Sequence, residues 1–253
     1  LVYDIILVGD YMQRYFVEKM NVEKKTAAIS GADFEHIKNV FKSKPGDSLI
    51  VCHEGNCFKA IIKSFKEDEV LCSLENKLES PTRDYQITIA QGIIKHGRFE
   101  YMLQKSAELG ADYIIPIMSQ YSIVKLNSQE ASTDIERWNK ITKDASEQAH
   151  RKTKCMVLPI EELHALKFKS YDIVLVAYEK ENMSHSLKYI LQKKFKNLLI
   201  VIGPEGGLSD EEIQFLSGYG NVEFIGLGHR ILRSETASSY ILSVLNYEYE
   251  MIL

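Results

Sequence analysis

The sequence lacks the segments and motifs that mark several large classes of protein. No apolar run approaches the roughly 18 to 20 residues that a membrane span needs, and no basic segment leads into a long apolar core and a cleavage site. The phosphate-loop motif G-x-x-x-x-G-K and the dinucleotide motif G-x-G-x-x-G are both missing. With 253 residues, 45% hydrophobic and 26% charged, the chain is expected to be a soluble, cytoplasmic protein of one or two domains.

Cysteine is scarce, and no spacing of cysteine or histidine indicates a metal site. The four cysteines form no C-x-x-C pair and lie in or beside apolar runs, which predicts reduced, buried thiols in a reducing compartment: Cys52, Cys57, Cys72 and Cys155. The histidine that precedes a glutamate, His53, has no second histidine one helical turn on. Because the formal net charge is −4, only a local basic face could bind nucleic acid.

Two short apolar runs near the end of the chain each stop at a glycine-rich turn. Residues 198–202 lead into Gly203-Pro204-Glu205-Gly206-Gly207, and a second run begins at Val222 and reaches Gly228. Both turns precede helical patterns, so the runs are expected to be buried parallel strands with their turns on the same edge of one sheet. Ligands bind at that edge in open α/β sheets. The glycines suit close approach of a ligand to the backbone, but a tight strand-to-helix turn explains them equally well.

The second turn adds charge beside apolar side chains. Arg230 and Arg233 lie in a loop with three apolar residues that could line a pocket for a flat aromatic ring: Leu227, Ile231 and Leu232. The alternative for the two arginines is an internal ion pair with Glu235 or Glu205.

The first part of the chain has the pattern of a small barrel. Residues 1–11 are interpreted as a leader or an artificial extension, and residues 12–80 as one domain. Within it we predict strands at 15–17, 26–29, 48–52, 57–65 and 70–74. We also predict a short helix with Asp33 as its N-cap, in which Phe34, Ile37, Val40 and Phe41 recur at helical spacing. The polar segment 78–83 is the predicted linker.

Residues 81–253 alternate between strand and helix. Strands are predicted at 86–91, 113–117, 156–160, 173–177 and 198–202, and helices at 98–109, from 132 or 133 to about 150, at 184–191, after Gly207 and from 234 or 235 to about 249. Ser209 and Glu212 form a capping box for the helix after Gly207. This order favours a mostly parallel sheet covered on both faces.

Several motifs along the chain resemble those of one family. They occur in order from Met12 to the C-terminus: Met12-Gln13-Arg14-Tyr15-Phe16-Val17, Gln104 to Gly110, Arg137-Trp138-x-Lys140-Ile141, Glu147-Gln148-x-x-Arg151, Ile202 to Leu208, and Leu227-Gly228-x-Arg230-Ile231-Leu232-Arg233-x-Glu235-Thr236-Ala237. The series is similar to that of the RsmE family of ribosomal RNA uridine N3-methyltransferases, in the knotted SPOUT class of S-adenosylmethionine enzymes.

The resemblance implies a PUA-like RNA-binding barrel, a methyltransferase domain with a deep trefoil knot, and a homodimer. It implies that S-adenosylmethionine contacts the loop after Ala177 and the two glycine-rich turns: Ala177, Ile202, Gly203, Pro204, Glu205, Gly206, Gly207, Leu227, Gly228, Ile231 and Leu232. Arg233, with Arg230 second, is the expected partner of the uridine anion in methyl transfer to small-subunit ribosomal RNA.

Five residues match RNA-contacting positions of the family: Arg14, His36, Lys42, Gln148 and Arg151. Each has a structural alternative, namely a solvated charge for Arg14 and Lys42, packing for His36, and helix capping for Gln148 and Arg151. Lys42 stands where arginine is usual, Tyr121 replaces an expected arginine, and His229 occupies a position that is commonly proline. These departures concern the RNA side more than the cofactor loops.

Overall fold

Two sheets organise the chain, each in its own compact unit. A computed structural model describes residues 12–79, 83–122, 128–180, 187–190 and 193–250. The first unit comprises residues 1–81 and 147–153, and the second comprises 82–146 and 154–253. The predicted leader at 1–11, the centre of the predicted linker at 80–82, and half of the helix predicted at 184–191 lie outside the described residues.

The first unit is built on a six-stranded sheet. Its strands are β1 (Arg14–Phe16), β2 (Lys19–Asn21), β3 (Thr26–Ser30), β4 (Ser48–His53), β5 (Asn56–Phe65) and β6 (Glu69–Lys77). They lie in the order β1-β4-β5-β6-β3-β2, with β1 parallel to β4 and the remaining neighbours antiparallel. No pairing between β1 and β2 is found within residues 12–79, so the described strands form an open, half-barrel sheet. Short strands joined by hairpins were predicted correctly, whereas β2 was missed.

The helix of the first unit differs from the prediction. It begins as α1 (Ala32–Glu35) with Gly31 as its N-cap and continues as a π-helix, His36–Val40. Asp33 is therefore inside the helix and is not its cap. Because each π-helical turn holds an extra residue, the 3.6-residue spacing fails after Ile37. Val40 and Phe41 are consequently exposed, at 67% and 46%, although they share the predicted helical spacing with the buried Phe34 and Ile37.

The structure corrects the prediction for two cysteines. Cys52 and Cys57 face each other across the β4–β5 hairpin, with their Cα atoms 4.1 Å apart, and form a disulfide. Cross-strand partners in a hairpin can come this close whatever their sequence spacing, which a search for C-x-x-C cannot reveal. Cys72 and Cys155 are buried thiols that take no part in this disulfide, as predicted. Burial raises the pKa of the Cys72 thiol to about 12, so this thiol is protonated at neutral pH.

The second unit holds a seven-stranded parallel sheet. Its strands are β7 (Gln86–Gly92), β8 (Tyr113–Met118), β9 (Met156–Val157), β10 (Glu161–Glu162), β11 (Ile173–Ala177), β12 (Asn197–Ile202) and β13 (Val222–Ile225). They follow the order β10-β8-β7-β12-β11-β13, with β9 also paired to β8. All of these neighbouring strands pair in parallel. The strand predicted at 156–160 ends at Val157.

Helices cover both faces of this sheet, as predicted. They are α2 (His96–Glu108), α3 (Ser128–Gln148), α4 (Leu187–Ile190), α5 (Asp210–Ser217) and α6 (Ser234–Glu250). Along β12, Leu198 and Ile200 face one apolar cluster, whereas Leu199 and Val201 face another. A strand buried on both sides needs such a continuous apolar run. The predicted capping box of α5 is present, since Ser209 and Glu212 bond reciprocally. Among the helices of the described residues, none combines the length and the apolar character needed to cross a membrane.

Candidate cofactor site and RNA-contact positions

A cavity of about 530 Å³ lies at the carboxyl edge of the parallel sheet. The loops that follow β11, β12 and β13 line it, because parallel strands deliver their carboxyl ends to the same edge. All the residues predicted to bind cofactor line this cavity, together with Arg230 and Arg233. The prediction that both glycine-rich turns lie on one sheet edge is thus confirmed. The volume is within the range of about 300 to 1,000 Å³ for small-molecule sites.

Glycine is required in the loop after β12 because backbone packs where a side chain would be. A Cβ atom on Gly203 would lie 2.7 Å from the carbonyl carbon of Gly207, and one on Gly206 would lie 2.9 Å from Cβ of Tyr121. Gly207 has a φ of 73°, which favours glycine. The loop therefore presents main-chain atoms to the cavity. Such a backbone-lined wall suits a cofactor that is read by amides and carbonyls.

A buried hydrogen-bond chain connects the two glycine-rich loops. The Ser234 hydroxyl donates to the Gly203 carbonyl at 2.6 Å, and Nε2 of Gln91 donates to the Ser234 oxygen at 2.7 Å. Gln91 is fully buried at the end of β7. These bonds fix the start of α6 against the loop after β12.

Arg98 forms ion pairs with two of the carboxylates that line the cavity, Glu205 and Glu235. Its Nη1 lies 3.9 Å from Oε1 of Glu205, and its Nε lies 3.8 Å from Oε1 of Glu235. Within the described residues, no ion pair joins Arg230 or Arg233 to either carboxylate, and both arginines are exposed. The two loop arginines are therefore available to a ligand.

Sequence reasoning missed several residues that line the cavity, including Arg98, Glu179 and Glu235. Two of them could have been found from their positions after strands, since Arg98 follows β7 and Glu179 follows β11. Glu235 was considered only as an ion-pair partner for the loop arginines.

Three of the predicted RNA residues lie around the segment Glu147–Thr153, which belongs to the first unit. Nη1 of Arg14 donates to the His150 carbonyl at 2.5 Å and to the Arg151 carbonyl at 2.7 Å. Arg14 is thus a structural anchor and not simply a solvated charge. Burial lowers its pKa, although the guanidinium remains the charged donor in these bonds. Gln148 is exposed on the same segment.

The other two predicted RNA residues lie beside the π-helix of the first unit. Nδ1 of His36 is 3.3 Å from the Tyr15 hydroxyl, and its ring packs edge-on against Phe41 at 4.9 Å between centroids. Lys42 is exposed, with a φ of 52°. His36 therefore has the packing role that was its structural alternative, and the Lys42 ammonium is accessible.

Comparison with known proteins identifies the family. Residues 81–246 match the RNA methyltransferase domain family. The ribosomal RNA small subunit methyltransferase E of Bacillus subtilis is 37% identical, with 95% of this chain and 98% of that protein covered. The chain belongs to the ribosomal RNA small subunit methyltransferase E family. Its counterpart from Neisseria gonorrhoeae, solved with bound S-adenosylmethionine, has a TM-score of 0.81 at 25% identity and covers 93% of this chain and 97% of its own.

A second solved structure that is similar to this chain also contains S-adenosylmethionine. It is a Legionella pneumophila protein described as a methyltransferase in complex with S-adenosylmethionine, with 28% identity and a TM-score of 0.81. It covers 93% of this chain and 97% of its own. Tyr121, which stands where the family pattern has arginine, packs against Gly206. His229, in place of proline, lines the cavity.

Proposed function

We propose that this chain uses S-adenosylmethionine to methylate N3 of a uridine in 16S ribosomal RNA. Family membership supports the reaction class, and one structural observation carries the site: two glycine-rich loops and two exposed arginines line the same cavity. We propose a cytoplasmic location as well, which a ribosomal RNA substrate supports.

The residues around the cavity fit the cofactor. The backbone wall from Gly203 to Gly207 offers amides and carbonyls, since a Cβ atom on Gly203 or Gly206 would collide with its neighbours. Ala177, Leu227, Ile231 and Leu232 offer apolar contacts for the adenine ring. When bound, the cofactor supplies an electrophilic methyl group on its sulfonium sulfur.

Arg233 is the residue proposed to make the uridine a nucleophile. N3 of uridine carries a proton at neutral pH, so negative charge develops on the flanking carbonyl oxygens as that proton leaves. A guanidinium cannot lose its own proton and offers forked donors to such an oxygen. Arg233 is exposed beside the cavity, and Arg230 is three residues before it on the same loop.

The first unit is proposed to be a PUA-like module that binds the RNA. Support comes from the half-barrel sheet and from the exposed Lys42 and Gln148. Arg14, Arg151 and His36 are proposed to border the same RNA-binding surface. Arg14 acts partly by donating hydrogen bonds to the carbonyls of His150 and Arg151. A deep trefoil knot in residues 81–253 and a homodimer complete the proposal, and both rest on the family resemblance. No metal is proposed.

The reaction is tested with labelled S-adenosylmethionine and either naked small-subunit RNA or assembled subunits, followed by nucleoside analysis. We expect 3-methyluridine. Another methylated nucleoside would reassign the enzyme to a different RNA base. If calorimetry detects no cofactor binding, the chain is instead a non-catalytic RNA-binding protein.

The role of Arg233 is tested by Arg233→Ala and Arg233→Lys. We expect the alanine variant to lower turnover by about 10²- to 10³-fold, the usual effect of removing one oxyanion donor, with little change in cofactor affinity. Lysine keeps the charge but loses the fork and should recover only part of the rate. A loss confined to cofactor affinity would make Arg233 a cofactor-binding residue.

A further inference from the structure

One carboxylate at the cavity has an oxygen atom without a hydrogen-bond partner. Glu235 is 8% exposed and belongs to the cavity lining. Its Oε2 atom is buried and has no partner within the described residues. Buried polar atoms are nearly always hydrogen-bonded, because leaving one unsatisfied costs about 1 to 3 kcal/mol or more for a charged group. An unsatisfied acceptor on a residue that lines the proposed cofactor cavity therefore calls for a donor from a ligand.

Arg98 balances the charge of Glu235 but donates no hydrogen bond to its carboxylate. The separation of 3.8 Å between Nε of Arg98 and Oε1 is too long for a hydrogen bond, and Arg98 is shared with Glu205. An ionised carboxylate only accepts hydrogen bonds, and it accepts up to about four. The other charged or titratable groups at the cavity are Tyr178, Glu179, Glu205, His229, Arg230 and Arg233.

We propose that Glu235 accepts the N3 proton of the target uridine. The proposal rests on the methylation of uridine N3 proposed above. As the N3–H bond breaks, the proton moves to the Glu235 carboxylate, and the nitrogen electron pair forms the new bond to the methyl carbon. The electrons of the carbon–sulfur bond remain on sulfur, so the sulfonium becomes a neutral thioether.

The placement of Glu235 gives a division of roles at the start of α6. Arg233 lies just before this helix and Glu235 lies in its first turn, two residues on, so both line one cavity. Arg233 stabilises the charge that develops on a carbonyl oxygen, while Glu235 removes the proton that creates this charge. Cytosine has no N3 proton to donate, so its ring nitrogen would meet the carboxylate lone pairs. The same residue thereby selects uracil over cytosine.

Glu235→Gln tests the proposal, because it keeps the size of the side chain and removes the proton acceptor. With cofactor saturating, we expect the single-turnover rate to fall by about 10²- to 10⁴-fold, the usual contribution of general-base catalysis. The variant then depends on uridine that has ionised by itself, so its rate should rise about tenfold per pH unit through neutrality, where the wild-type rate is nearly flat. Cofactor affinity, measured by calorimetry, should change by less than about threefold, roughly 0.7 kcal/mol.

Two further variants keep the test decisive. Glu235→Asp retains a carboxylate and should retain a flat pH profile at a reduced rate. This variant keeps the proposal testable if Glu235→Gln does not fold. Glu205→Gln removes the other carboxylate from Arg98 and should keep the wild-type shape of the pH profile, whatever its rate.

The outcomes separate this proposal from the function on which it rests. A Glu235→Gln variant with the wild-type rate and pH profile would overturn the role of Glu235 alone. A variant that loses cofactor affinity but reacts normally at saturation would assign Glu235 to the cofactor. If the wild-type enzyme binds no cofactor or makes a product other than 3-methyluridine, both proposals fall.

Discussion

The replacement Gly203→Ala tests whether the glycine loop after β12 forms the cofactor site. The added Cβ atom would lie 2.7 Å from the Gly207 carbonyl carbon and 3.0 Å from its Cα and oxygen atoms. These are backbone atoms, so no side chain can swing aside. The Gly207 end of the loop has to move by about 0.7 Å to reach the 3.4 Å of an ordinary contact.

Forced overpacking of this kind costs about 1 to 3 kcal/mol. If the cofactor binds the undistorted loop, binding has to restore that conformation, so this cost weakens the binding free energy. Affinity then falls by about 5- to 150-fold. Calorimetric titration with S-adenosylmethionine measures the loss. Thermal unfolding without cofactor establishes that the variant is folded.

Gly220→Ala is the matched control. Its Cβ atom would have no heavy atom within 4 Å, and its φ lies outside the positive range. The control should bind cofactor like the wild type. If Gly203→Ala does so as well, while folded, the loop does not contact the cofactor and the proposed site is wrong.

Two further predictions concern stability. Ser234→Ala removes the hydroxyl between the Gln91 amide and the Gly203 carbonyl and should lower the free energy of unfolding by about 1 to 3 kcal/mol, measured with urea; an unchanged midpoint would show that this chain of bonds is dispensable. Burial lowers the pKa of His150 below its ordinary value of 6.5, and the positive charge of Arg14 lowers it further. As pH falls below about 6.5, the unfolded chain binds a proton that the folded chain resists, so stability should fall. His150→Asn, which tolerates the φ of 53°, should show a smaller loss between pH 7.5 and 5.5; an equal loss would assign the effect to other groups.

The second unit was largely predictable because its sequence obeys strong periodicities. Apolar runs such as 173–177 are buried on both faces, and the capping residues Ser209 and Glu212 mark the start of a helix by themselves. Trp138 is buried as well, and its ring packs on that of Phe99 with 4.6 Å between the centroids. Parallel strands place their carboxyl ends at the same edge of a sheet, and this rule was enough to predict that the two glycine-rich turns lie close together.

The failures involve features that no local pattern encodes. The π-helix at His36–Val40 changes the residue count per turn, so Phe41 emerges at the surface. The contact of Cys52 with Cys57 depends on hairpin register. Oε2 of Glu235 lacks a partner, and Arg98 stands 3.8 Å from the other oxygen, Oε1; both facts appear only when the chain is folded.

The anchoring of residues 150 and 151 by Arg14 affects the order in which the protein can fold during synthesis. The donor and its acceptors are 136 and 137 residues apart. When β1 to β6 have been made, the guanidinium of Arg14 still lacks the carbonyls that satisfy it. The first unit is therefore completed only when a segment that lies beyond the first two strands of the second sheet has been made. A fragment that ends at residue 81 would lack both carbonyl acceptors of this half-buried cation.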